Sequence, residues 1–251
     1  MLRDSLFIRY NQQILLKEIG IDGQKELLRK KILIIGLGGL GSPVSMYLAG
    51  SGIGELWLSD KDRVDLSNLQ RQILYSEKDI NHPKVFSASK YLKKLNHNIK
   101  ILTFFREENI KSLEEIVEPV DLILDCTDNI SSRYIINQVC IAKNKIFVTA
   151  SSIGFNGQVT LFKPPYKQGC YFCLYPNYAD INLNCQNSGI LGPVAGIIGM
   201  IQALESLKVL LNIPSFLDKE LLIFDAKKYS CKILKRKKNK KCVICGDKLI
   251  K

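Results

Sequence analysis

Apolar residues in this chain come in short runs set at regular intervals. Lys31-Ile-Leu-Ile-Ile35 is unbroken and rich in β-branched side chains, and Gly36-Leu-Gly-Gly-Leu-Gly41 and a helix-like stretch to about residue 50 follow at once. A run without polar alternation predicts a strand covered on both faces. The strand signal returns at residues 55–60 and 99–104, on either side of a helical pattern over 82–96. It returns again at 121–125 and 145–149, around a helical pattern over 130–142. Strands alternating with helices predict an α/β fold, a Rossmann-like and mostly parallel sheet with right-handed crossovers.

After residue 150 the pattern changes. Residues 157–162, 221–224 and 229–234 read as strands with few helices between them, which would extend the sheet with antiparallel strands. The exception is 193–211, where Val194, Ile197, Ile198, Ile201, Leu204 and Leu207 recur at helical spacing behind Pro193. Residues 175–188 are polar and Asn-rich, and read as a mobile loop. The expectation is one domain over residues 1–251, with a nucleotide-binding half over 1–150 and a second half over 151–251. The N-terminus carries no apolar stretch of signal-peptide length, and the most apolar run, 189–201, falls short of the roughly 20 residues that cross a bilayer. A cytoplasmic protein with no membrane segment is expected.

Charge first points elsewhere. The 251 residues carry 36 Lys+Arg against 24 Asp+Glu, a net +12 that suggests nucleic acid or an anionic surface as partner. Residues 227–251, however, hold eleven of the basic residues against one acid, Asp247, so the body is nearly neutral. At 46% hydrophobic residues the chain has ample material for a core, which excludes disorder.

Gly36-x-Gly38-x-x-Gly41 between strand and helix fits a dinucleotide or nucleotide turn, because glycines admit the backbone close to a phosphate that the helix N-terminus attracts. Asp60, at the end of the next strand, is placed to accept from ribose hydroxyls. These two features do not separate NAD from ATP. Beyond them, Ser67-Asn-Leu-Gln-Arg-Gln72 supplies a guanidinium at Arg71, and Lys84 opens the next helix. Two cations at one phosphate site suit a triphosphate, whose reaction spreads negative charge over oxygens. The plain alternatives are a surface ion pair for Arg71 and a solvated first-turn lysine for Lys84. Asp128, just past a parallel strand, would hold Mg²⁺ or cap the following helix.

Cys170-x-x-Cys173 and Cys242-x-x-Cys245 form a set suited to tetrahedral Zn²⁺, which would tie the C-terminal tail to the body. Four thiolates leave no open position, so a structural metal is expected. Cys126, Cys140 and Cys231 sit in apolar elements and read as small core residues. Cys185 differs, since its polar loop would leave the thiol exposed. With only His82 and His97 in the chain, both read as surface or capping residues, a histidine-dependent triad is not expected.

Together Arg9-Tyr10, the glycine turn, Ser67-Asn-Leu-Gln-Arg-Gln72, Pro83-Lys84 and Asp125-Cys-Thr-Asp-Asn129 resemble the ThiF/MoeB/HesA family, bacterial relatives of ubiquitin-activating enzymes, over nearly the whole chain. The resemblance implies that Gly39, Asp60, Ser67, Asn68, Leu69, Gln70, Arg71, Lys84, Asp128 and Asn129 surround MgATP in a homodimer. It implies adenylation of the Gly-Gly C-terminus of a small ubiquitin-like sulfur carrier, since an acyl-adenylate can expel AMP where a carboxylate would have to expel oxide. It also places Cys185 at the family's sulfur-transfer cysteine, fed by a donor such as a cysteine desulfurase or rhodanese-type protein. Residues 151–158 and 164–176 look more like the ThiF branch, with ThiS as carrier, than the MoeB branch, which activates the molybdopterin-synthase small subunit. One position departs from the pattern: Gln12 stands where the family usually has an Arg that reaches across the dimer to the phosphates. An NAD(P)-dependent oxidoreductase and a zinc-tailed nucleic-acid-binding module remain as readings from other classes.

Overall fold

The computed structural model describes residues 3–176 and 189–246. Two helices, α1 (Asp4–Ile14) and α2 (Gly20–Leu27), precede the first strand. Then come β1 (Lys31–Ile35), α3 (Gly41–Ser51), β2 (Glu55–Ser59), α4 (Lys84–Leu95), β3 (Lys100–Phe104), α5 (Ile110–Val117), β4 (Leu122–Asp125) and α6 (Ile130–Ala142). The second half supplies β5 (Ile146–Ile153), β6 (Asn156–Phe162), a single turn α7 (Tyr171–Leu174), the long α8 (Gly192–Leu210), β7 (Glu220–Asp225) and β8 (Ser230–Lys235).

All eight strands join one sheet in the order β3-β2-β1-β4-β5-β6-β7-β8. The first five are mutually parallel and the last three antiparallel, the expected mixed α/β architecture. β1 explains its own unbroken apolar run. Ile32 and Ile34 enter the layer built with α3, α4 and α8, while Leu33 and Ile35 enter the opposite layer with α5 and α6. Both faces of the strand are therefore buried. Because chain order reverses on either side of β1, a crevice opens at the carboxyl ends of β1 and β4, where ligands of open α/β sheets bind.

α8 completes the first layer. With 19 residues, taking the apolar run on through Gln202, Glu205 and Lys208, it is long and apolar enough to cross a membrane by length and composition alone. It packs on α3, β5 and β6, and half of its apolar window is buried. Gln202, fully buried on it, donates to the carbonyls of Asp125 and Val148 at 3.0 Å each. Gly157 on β6 permits this approach, since a Cβ there would meet Ile198 Cγ1 at 2.2 Å.

The chain after β8 is held by Arg236. Its guanidinium is buried and donates to the carbonyls of Leu161 (2.7 Å), Asp218 (2.6 Å) and Leu217 (3.4 Å), lying 4.2 Å over the Phe162 ring. Burial pulls its pKa down to about 10. Cys126 and Cys140 are core residues, as expected, but Cys231 is exposed. β8 is the edge strand and nothing covers it among the described residues, so an apolar residue type there does not mean burial.

Candidate functional site

The crevice at β1 and β4 is a cleft of about 180 Å³. Its floor is the glycine turn. Gly36 has φ +90°, and a Cβ there would meet the Cys126 carbonyl oxygen at 2.8 Å; on Gly41 it would meet the Gly36 oxygen at 2.0 Å. These two glycines let the turn fold tightly against β4 and pass straight into α3. A Cβ on Gly39 would lie 3.2 Å from Ala195 Cβ and 3.5 Å from Arg71 Cγ, so Arg71 and the first turn of α8 flank the turn from above.

Asp60 closes one end. Its Oδ2 accepts from the Leu37 backbone N–H at 2.7 Å and its Oδ1 from that of Asp62 at 2.7 Å, fixing the carboxylate toward the cleft with lone pairs to spare. Burial pushes the Asp60 carboxyl above its ordinary range, against the pull of Lys84 and of the two N–H donors. Lys84, its side chain 5% exposed, lines the cleft and donates to Asp62 Oδ2 at 2.8 Å. The solvated first-turn lysine is thus a buried cation. Arg71 is half-buried and donates to the Ser67 carbonyl at 3.0 Å.

Asp128 and Asn129 line the cleft from the β4 side, both exposed. The capping residue of α6 is Asn129, whose Oδ1 accepts from Ser132 N–H at 2.8 Å, so the Asp128 carboxylate is not spent on a cap. Asp125, one turn earlier, is buried and holds the segment by accepting from Thr127 N–H, Thr127 Oγ1 and Thr149 Oγ1.

Of the residues expected at the nucleotide, Gly39, Asp60, Arg71, Lys84, Asp128 and Asn129 meet at this cleft. Ser67, Asn68, Leu69 and Gln70 form the adjoining turn, ordered by Asp65 accepting from Ser67 N–H at 2.8 Å, and do not line the cleft themselves. Cys185 lies outside the described residues. Sequence reasoning missed Gln72, Arg133 and Glu108. Arg133 is buried and donates to the carbonyls of Thr127 and Ala150 at 2.6 and 3.0 Å; Glu108 accepts from Ser59 Oγ at 2.6 Å and from Arg106. Burial is what distinguishes these three residues, and it is not written in the local sequence pattern.

At the other end of the chain, Cys170, Cys173, Cys242 and Cys245 converge with all four sulfurs within 4.8 Å of one another. The separations Cys170–Cys173 (4.0 Å), Cys170–Cys242 (3.8 Å) and Cys173–Cys245 (3.4 Å) far exceed a disulfide bond. They bracket the roughly 3.8 Å edge of a tetrahedron of sulfurs around a metal at about 2.3 Å. Backbone N–H groups of Asn239 and Ile244 point at Cys173 and Cys242, and Asn137 Nδ2 points at Cys170, donors that stabilise thiolates. The set is fit to hold a metal ion.

Residues 10–244 match the ThiF family. The chain belongs to the ThiF family. Among its ThiF-family relatives, the Sulfur carrier protein ThiS adenylyltransferase of Escherichia coli (strain K12) is 44% identical, over 98% of this chain and 97% of that protein. The Adenylyltransferase and sulfurtransferase MOCS3 of Culex quinquefasciatus is 40% identical over 98% of this chain, which spans 57% of the mosquito protein. In fold the chain is similar to E. coli MccB in its crystal structure with ATP, with a TM-score of 0.78 and 26% identity over 89% of this chain and 68% of that one. The ThiF-family match covers every residue that lines the cleft and three of the four cysteines, ending one residue before Cys245.

Proposed function

We propose that this protein is an ATP-dependent adenylyltransferase that joins AMP to the C-terminal glycine carboxylate of a ThiS-type sulfur carrier and then assists formation of the thiocarboxylate through Cys185. The observation that carries the reading is the meeting of the glycine turn, Arg71, Lys84 and Asp128 in one cleft. The 44% identity to the E. coli ThiS adenylyltransferase over nearly the whole of both chains supports the choice of carrier.

The geometry suits the chemistry. The carrier carboxylate is ionised near pH 7 and needs no general base. The obstacle is charge, because an anion must approach the α-phosphate of a polyanion. Arg71 and Lys84 offset that charge from a partly dry wall, where fixed cations act more strongly than in water. Asp60 accepts from the ribose, and the tight turn at Gly36–Gly41 brings backbone N–H groups to the phosphates. Asp128, exposed and uncommitted to the helix cap, would hold Mg²⁺, which neutralises charge on the departing pyrophosphate. Zn²⁺ is the ion proposed for the four cysteines, where it is structural and links the segment after β8 to α7.

A homodimer completes the reading. Phe7, Ile8, Leu15 and Leu16 expose apolar surface near α1, and Met200 and Leu204 do so on α8. Gln12 is exposed on α1 and does not line its own chain's cleft, while Arg9 donates to the Leu95 carbonyl at 3.2 Å and so is engaged at the end of α4. The protein is proposed to be cytoplasmic and not to bind nucleic acid. A MoeB-type role, with the molybdopterin-synthase small subunit as carrier, is the second reading, favoured by the 40% identity to a MOCS3 protein. Carrier-dependent ATP–pyrophosphate exchange with each purified carrier separates the two; exchange with the molybdopterin carrier alone overturns the first.

A further inference from the structure

Gln72 is 3% exposed, yet it lines the nucleotide cleft, and its Oε1 has no hydrogen-bond partner among the described residues. Buried side-chain amides are almost always paired, because an unpaired one forfeits its bonds to water. Its Nε2 lies 3.7 Å from where a Cβ on Gly38 would stand, directly over the phosphate turn. The neighbouring backbone is fixed. Gln72 N–H donates to the Asn68 carbonyl at 3.0 Å, and a Cβ on Gly192 would meet the Gln70 oxygen at 2.5 Å, so the segment is clamped between the glycine turn and the start of α8. The side chain is therefore held in place with its Oε1 unpaired, which marks it for a ligand.

The chemistry of a carboxamide selects that ligand. It offers an acceptor oxygen and an NH2 donor group side by side in a single plane. Phosphate oxygens only accept and leave Oε1 unpaired, and the ribose hydroxyls are assigned to Asp60, whose carboxylate sits at Leu37 and not at Gly38. A peptide unit has both an N–H and a C=O, and the acyl substrate must bring one to the α-phosphate.

We propose that Gln72 is a substrate-binding residue whose side-chain amide pairs with a peptide unit of the carrier's C-terminal Gly-Gly tail beside the phosphate turn. This rests on the adenylyltransferase reading and names the contact that presents the carboxylate. The test uses the full chain, a ThiS protein, and the same ThiS protein lacking its last two residues. Wild-type enzyme must first give carrier-dependent exchange, and if it does not, the adenylyltransferase reading fails before this one is reached. For Gln72→Leu and the acceptor-only Gln72→Glu, the Kd of ATP alone and the Kd of both carriers are then measured, with Tm as a check on folding.

Losing two hydrogen bonds at a buried contact predicts roughly tenfold weaker binding of the intact carrier by Gln72→Leu. The truncated carrier should bind wild type and variant alike, and ATP affinity should stay within about twofold. Weaker ATP binding by the same factor would make Gln72 a nucleotide ligand and overturn the proposal. An equal loss for intact and truncated carrier, or no loss at all, would overturn it too, leaving the amide a strut of the fold.

Discussion

Lys84 Nζ lies 2.8 Å from Asp62 Oδ2, with the lysine side chain 5% exposed and the aspartate 53% exposed. The cation is buried against the cleft while its partner faces water, so the pair aims Lys84 more than it stabilises the fold. Lys84→Met should cut exchange by about a hundredfold or more with little change in Tm, since Asp62 can turn to solvent. Asp62→Asn, which leaves Lys84 charged but unaimed, should raise the KM for ATP several-fold. Steady-state exchange checks both; a Lys84→Met enzyme of normal activity would remove Lys84 from the site.

The glycine turn makes a stability prediction with its own control. Gly36→Ala puts a Cβ 2.8 Å from the Cys126 oxygen at φ +90°, and should cost about 2 kcal/mol or more in urea unfolding. Gly50 lies within α3 with open space around its Cβ position, so Gly50→Ala should stabilise by about 0.5–1 kcal/mol. Opposite signs are required; equal destabilisation would mean that the close approach at Gly36 is not what selects glycine.

For the cysteine centre, metal analysis of the purified protein should give one zinc per chain. Chelation, or Cys173→Ser, should lower Tm and expose the chain after Arg236 to protease. The nucleotide cleft is built by other elements, so ATP should still bind. Loss of ATP binding on chelation, measured by calorimetry, would contradict a purely structural metal.

Burial raises the Asp60 carboxyl above its usual range, so the folded protein holds that proton more tightly than the unfolded chain does. The contribution of this group to stability is full below the ordinary carboxylate range and is lost as pH rises through the raised value. Asp60→Asn should therefore gain stability relative to wild type as pH is taken from about 4 to 8, while binding ATP more weakly. Tm measured for both proteins across that range checks the sign, and a variant Tm that falls relative to wild type as pH rises would refute it.

How much of this could be read from residues depends on which elements bury a face. β1 and the other central strands were legible because both of their surfaces are covered and the run is continuous; α6 and α8 were legible because several of their positions meet the core. α1 was not, because Tyr10 is its one buried residue, packed against Gly52 and accepting from Asn96 at 2.9 Å. α5 is eight residues long, too short for its apolar face to stand out. At the site, the local order strand, glycine turn, helix carried Gly36–Gly41 and Asp60. Gln72, Glu108 and Arg133 come to the cleft only through packing between distant segments, and Asp128 differs from the helix cap Asn129 by one residue. Neither distinction is written in local pattern.

The most direct test of the account is incorporation of labelled pyrophosphate into ATP by the purified protein, with and without a ThiS carrier ending in Gly-Gly. Exchange that appears only when the carrier is added, and disappears with Lys84→Met or with a carrier lacking its terminal glycine, is the predicted result. No exchange with the intact carrier, or exchange indifferent to it, would contradict the claim that this cleft activates a carrier carboxylate.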